Sequence, residues 1–70
     1  MQRTDVKSSN LKSVGYDPEE GVLEIEFNSG GIYEYYGVPP EVHEGLMKAE
    51  SHGKFFDQHI RREFQYARLP

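Results

Sequence analysis

Tyr33, Tyr35 and Tyr36 fall within four residues of one another, and Tyr16 and Tyr66 complete the five tyrosines of the chain. A phenol brings a flat ring that can stack on a base and a hydroxyl that can donate or accept, so such a concentration suits a binding surface. The competing role is structural: Tyr33 and Tyr35, two apart on a strand, can line a core with their hydroxyls at its rim, which leaves Tyr36 and Tyr16 as the freer contacts. Lys54, His59, Arg61, Arg62 and Arg68 form the one basic cluster. It can meet an anionic partner, or it can neutralise carboxylates and sit near a helix C-terminus, where cations are favoured.

His43, His52 and His59, with Asp57 nearby, invite a metal reading, but no spacing of the HExxH kind supports it, and solvent-facing or capping histidines are expected instead. Ser8 and Ser9 have no base beside them and suit a turn. Glu19, Glu20, Glu24 and Glu26 suit a solvated face. No nucleophile, base and orienting group assemble, so we expect neither an enzyme nor a cofactor. A small-ligand site where tyrosine hydroxyls meet histidines is a lesser possibility.

The elements that must carry these residues fit within one domain, residues 1–70, with 1–8 expected to be flexible. There is no cysteine, which removes disulfides and thiolate metal sites and fits a reducing compartment. No apolar run approaches the roughly 20 residues of a membrane span, and the N-terminus lacks the apolar centre of a signal peptide, so a soluble, cytoplasmic protein with no membrane partner is expected. The net charge of −4 is uneven: residues 1–47 hold nine acids against three Lys/Arg, and residues 48–70 hold five Lys/Arg against three acids. Only the last third can therefore meet phosphate.

Leu11 to Tyr16 predicts a first strand, and Asp17-Pro18-Glu19-Glu20-Gly21 has turn chemistry in the right order. Val22 to Phe27 alternates as a strand with Leu23, Ile25 and Phe27 on one face. Asn28 to Gly31 is the next turn, and Ile32 to Tyr36 the third strand. Pairing Phe27 with Tyr33 and Ile25 with Tyr35 collects the apolar residues on one side and sets Glu26 opposite Glu34. For the first strand two registers stay open. One puts Lys12, Val14 and Tyr16 on the second face with Val22, Ile32 and Tyr36; the other turns Val14 and Tyr16 inward. Pro40 to about Glu50 predicts a helix with Val42, Leu46 and Ala49 as its buried stripe, and with Gly45 allowing close approach to the sheet. Ser51 as a cap or Gly53 as a left-handed stop ends it, Lys54 to about Glu63 makes a second helix, and Phe64 to Leu69 is a docked tail or a short fourth strand. The expected fold is α+β: a three-stranded antiparallel β-meander followed by two helices packed on one face.

In order along the chain, Ser8-Ser9, Val14-Gly15-Tyr16-Asp17, Leu23-Glu24-Ile25-Glu26-Phe27, Gly31-Ile32-Tyr33-Glu34-Tyr35, Val38-Pro39, Ala49-Glu50-Ser51-His52-Gly53-Lys54-Phe55-Phe56 and Ile60-Arg61 make a pattern that resembles the KTSC domain, from about Ser8 to Leu69. Tyr33-Glu34-Tyr35 is the centre of that likeness. The family takes its name from the C-terminus of some lysyl-tRNA synthetases and also occurs as small stand-alone proteins. What the resemblance implies is a module without assigned catalytic residues or cofactor, with RNA binding suggested by the synthetase fusions. The expectation is therefore a small binding module. It would take RNA weakly, in a tRNA-related setting, through Lys54, Arg61, Arg62 and exposed tyrosines among Tyr16, Tyr33, Tyr35 and Tyr36. Alternatively it would bind a protein, or itself, through an open sheet face displaying Val14, Ile32 and Tyr36 or through an edge strand.

Overall fold

The structure, a computed structural model, describes all 70 residues. In chain order it contains β1 (Arg3–Asp5), β2 (Leu11–Asp17), β3 (Val22–Phe27), β4 (Ile32–Tyr35), α1 (Pro40–Lys48), α2 (His52–His59) and β5 (Tyr66–Arg68). All neighbouring strands are antiparallel and lie in the order β1-β2-β3-β4-β5. No helix is long and apolar enough to cross a membrane.

The meander is present, and the turns that make it work as their chemistry dictates. The Asp17 carboxylate accepts the N–H groups of Glu19 and Glu20, and Gly21 takes φ +68° to return the chain. The sheet nevertheless has five strands rather than three. Both additions are edges of three exposed residues, too short and too polar to show an alternating apolar signal. The start of the chain is thus not frayed: Arg3 pairs with Gly15 and Asp5 with Ser13. Ser8 serves the turn into β2, its hydroxyl accepting from the N–H groups of Asn10 and Leu11.

Between β3 and β4 the register differs from expectation by two residues, with Ile25 opposite Tyr33 and Leu23 opposite Tyr35. An even shift keeps every side chain on its expected face. It does move the like-charge pair, which is Glu24 against Glu34. Between β2 and β3 the inward register is adopted: Val14 faces Ile25 and Tyr16 faces Leu23. A bulge between Leu11 and Ser13 explains how, since Leu11 and Val14 differ by an odd number of positions and both must reach the core. The bulge also leaves Lys12 beside Glu26, Nζ to Oε2 3.9 Å. With Val14 only 2 % exposed, the open apolar patch of Val14, Ile32 and Tyr36 does not exist.

The core comprises Leu11, Val14, Leu23, Ile25, Tyr35, Val38, Leu46, Phe56 and Ile60. Both helices end earlier than the periodicity predicts, because Ala49 and Ile60 leave helical geometry. Ser51, not Gly53, marks the break: its hydroxyl accepts from the Lys54 N–H as the N-cap of α2. Gly45 does permit a close approach, but to α2 rather than to the sheet. A Cβ there would lie 2.6 Å from Cζ of Phe55.

Candidate functional site

Strand alternation puts Tyr33 and Tyr35 of β4 on the helix side of the sheet. β5 then lays Tyr66 opposite Tyr35 and Arg68 opposite Tyr33. From the other side, α2 supplies Phe56. Past its end the chain turns tightly, with the N–H groups of Ile60 and Arg61 both donating to the Phe56 carbonyl. Ile60 is fully buried and anchors that turn. The result is a groove of about 610 Å³ lined by the rings of Phe27, Tyr33, Tyr35, Phe56, Phe64 and Tyr66, with Ser29, Arg61 and Arg62 completing it.

All of these rings but that of Phe64 form one continuous set. Phe27 meets Tyr33 and Phe56 edge-on at 5.5 and 5.3 Å, Tyr35 meets Phe56 edge-on at 5.3 Å, and Tyr66 lies 5.4 Å from Tyr35 and 5.9 Å from Tyr33. Three guanidiniums border them. Arg61 stands with Cζ 5.4 Å from the Phe56 centroid while pairing with Asp57 at 2.9 Å. Arg68 holds Cζ 5.9 Å from the Tyr33 centroid. Neither Arg62 nor Arg68 is paired with a carboxylate.

The hydroxyls divide into two groups. Those of Tyr16 and Tyr36 donate to protein acceptors, the Val38 carbonyl at 2.6 Å and the Glu34 carboxylate at 3.2 Å. Tyr33, Tyr35 and Tyr66 have no protein partner for theirs, although Tyr35 is only 4 % exposed. No side-chain polar atom is sealed from solvent without a partner, so the Tyr35 hydroxyl opens on the groove. Burial pushes its pKa up to about 12 against a lesser opposing pull from Arg61, and the phenols of Tyr66 and Tyr33 add to the rise. It is an O–H donor throughout the physiological range.

Of the side chains singled out in the sequence, Tyr33, Tyr35, Tyr66, Arg61 and Arg62 come together here. Tyr16, Tyr36 and Lys54 do not. Tyr16 lies in a separate hollow with Pro18, Pro40, Met47 and His43, whose ring stacks on it at 4.5 Å. Burial raises the Tyr16 pKa, helped by Glu41 and Asp17, and lowers that of His43. Tyr36 is exposed and bonds Glu34, and Lys54 is exposed on α2 outside the groove. Phe27 and Phe64, which nothing in the sequence marks as site residues, also line the groove. Tyr66, one of the five tyrosines whose concentration suits a binding surface, reaches the groove from the tail by pairing opposite Tyr35.

The histidines go their own ways. His52 Nδ1 sits 2.8 Å from the Leu46 carbonyl and His59 stacks on Phe55 at 4.5 Å, so the groove of Tyr33, Tyr35 and Tyr66 is lined by arginines and by no histidine. The opposite sheet face is acidic. Glu24 is 7 % exposed and held by Arg3 at 2.7 Å, and Glu26 accepts from the Ser13 hydroxyl at 2.9 Å.

A five-stranded meander backed by two helices, with a Tyr-x-Tyr strand at the floor of its groove, matches a known family. The chain belongs to the KTSC domain family, whose model covers residues 7–64. It is similar to an uncharacterised protein of Stutzerimonas stutzeri, 46 % identical over 70 residues and 99 % of each chain. It is also similar to a lysine–tRNA ligase of Nostoc punctiforme, 40 % identical over 63 residues, which are 90 % of this chain but 11 % of the ligase. The crystal structure of a KTSC domain protein from Yersinia pestis superposes with a TM-score of 0.96 at 43 % identity, covering 99 % of this chain and 97 % of that one.

Proposed function

We propose that this chain is a non-enzymatic module that binds unpaired RNA in the groove between β3, β4 and β5 and the end of α2. The observation that carries the reading is the convergence of Tyr33, Tyr35, Tyr66, Phe64, Arg61 and Arg62 on one groove. Rings accept unstacked bases on their faces and guanidiniums meet the backbone, which is the combination single-stranded nucleic acid requires. On the other sheet face Glu24, Glu26 and Glu34 outnumber Arg3 and Lys12, which are already paired to Glu24 and Glu26, so the arginines that phosphate can meet lie on the groove side. Likeness to a short segment of a tRNA ligase supports a tRNA-related setting, and hence the cytoplasm. The protein-docking alternative loses its principal argument with Val14 in the core.

The test is fluorescence anisotropy of a labelled single-stranded oligoribonucleotide of about eight nucleotides, titrated at low and moderate salt. Binding is expected at low salt, weakening as salt rises with a log–log slope of about −0.7 per phosphate contacted. The double variant Arg61→Glu/Arg62→Glu abolishes it. Absence of binding at low salt, or indifference to that variant, refutes the proposal.

A further inference from the structure

The rings and arginines account for stacking and for backbone attraction, but not for the hydroxyls. Three tyrosines whose hydroxyls have no protein partner line the same groove, and one of them, Tyr35, is 96 % covered. Its ring is covered while its hydroxyl opens on the groove with no protein acceptor, so the donor is free to meet an acceptor brought in from outside. Tyr66 lies within 6 Å, ring to ring, of both Tyr33 and Tyr35, and Arg61 is close enough to oppose the rise in the Tyr35 pKa. Neutral donors backed by cations suit an anion with several acceptor oxygens.

Two features narrow the choice. Tyr35 lies at the recessed floor, and a polynucleotide backbone passing along the groove would meet the rim arginines before it met that hydroxyl. A chain end can descend where a through-running strand does not. A phosphomonoester also carries about −1.5 to −2 charge and three terminal oxygens, against one charge and two such oxygens in an internal diester. Resting on the RNA-binding reading above, we infer that the floor of the groove, through the hydroxyls of Tyr33, Tyr35 and Tyr66 with Arg61 and Arg62, receives the terminal phosphate of a single-stranded RNA while Phe64 and Tyr66 take the adjoining bases.

The experiment compares three oligoribonucleotides of one sequence by anisotropy, carrying a 5′-phosphate, a 3′-phosphate or hydroxyls at both ends, together with uridine monophosphate as a competitor. One phosphorylated end is expected to bind about 10-fold more tightly than the hydroxyl-ended oligomer, the size of a charge-assisted hydrogen bond. Tyr35→Phe keeps the ring and, since its hydroxyl bonds nothing in the protein, keeps the fold; it should collapse that ratio toward unity. Tyr36→Phe, on the far face, should leave the ratio alone. Equal affinity for all three oligomers overturns the terminal-phosphate inference while the groove reading stands, and so does a ratio unaffected by Tyr35→Phe. No binding of any oligomer overturns both. Competition by uridine monophosphate as effective as the phosphorylated oligomer overturns RNA as the source of the phosphate.

Discussion

Replacing Arg3 by alanine tests whether β1 is a working strand. Its guanidinium donates from Nη1 to Oε2 of Glu24 at 2.7 Å, and Nε lies 3.9 Å from Glu26. The Glu24 side chain is only 10 % exposed and stands directly across from Glu34, while Arg3 itself is 31 % exposed. Deleting Arg3 therefore leaves a mostly covered carboxylate without its donor and with a like charge opposite. A hydrogen bond to a charged group contributes about 1.5–3 kcal/mol, and an opposed like-charge pair costs a further ~0.2–1 kcal/mol. Partial exposure of the pair places the total near 2 kcal/mol. For a chain of this size that is a fall in Tm of roughly 8–16 °C. Urea unfolding followed by far-UV circular dichroism and tyrosine fluorescence measures it, since the chain has no tryptophan. Because the pair is mostly covered, moderate salt should recover little of the loss, whereas Glu24→Gln in the Arg3→Ala background should recover much of it. A change below about 0.5 kcal/mol, the scatter of ordinary surface substitutions, would show that the Arg3–Glu24 pair does not help hold β1 to the sheet.

Gly45→Ala should destabilise despite the better helix propensity of alanine, because overpacking against Phe55 costs about 1–3 kcal/mol while the propensity gain is at most ~1 kcal/mol. Chemical denaturation of Gly45→Ala and of Gly45→Ala/Phe55→Leu checks this, and a stabilised single variant refutes the contact. Tyr35 predicts an alkaline loss of stability: its folded pKa of about 12 lies above the ordinary 10.0, so the folded state holds its proton more tightly. That contribution is fully present below pH 10 and is lost as pH rises through about 12, by at most ~2.7 kcal/mol and by less because the hydroxyl touches water. Tyr35→Phe should lack that part of the decline in a urea-midpoint series, and identical pH profiles for the two proteins refute it.

Alternation and turn chemistry determined much of this protein from sequence. Leu23, Ile25, Tyr33 and Tyr35 share the core face because strand periodicity fixes sidedness even where the register is two residues off. Asp17 to Gly21 makes the turn its residues specify, and Ser51 caps α2 through local bonds that need no distant partner. What only the tertiary structure decided depends on contacts between residues far apart in the chain. The register of β2 hangs on a bulge that two inward residues at an odd spacing demand, and β1 joins the sheet by pairing with β2, where Arg3 also finds Glu24 twenty-one positions away. The groove belongs to the same category. Tyr66 reaches Tyr35 only because two intervening helices return the tail to the edge of the sheet, and no local pattern of residues records where that return will end.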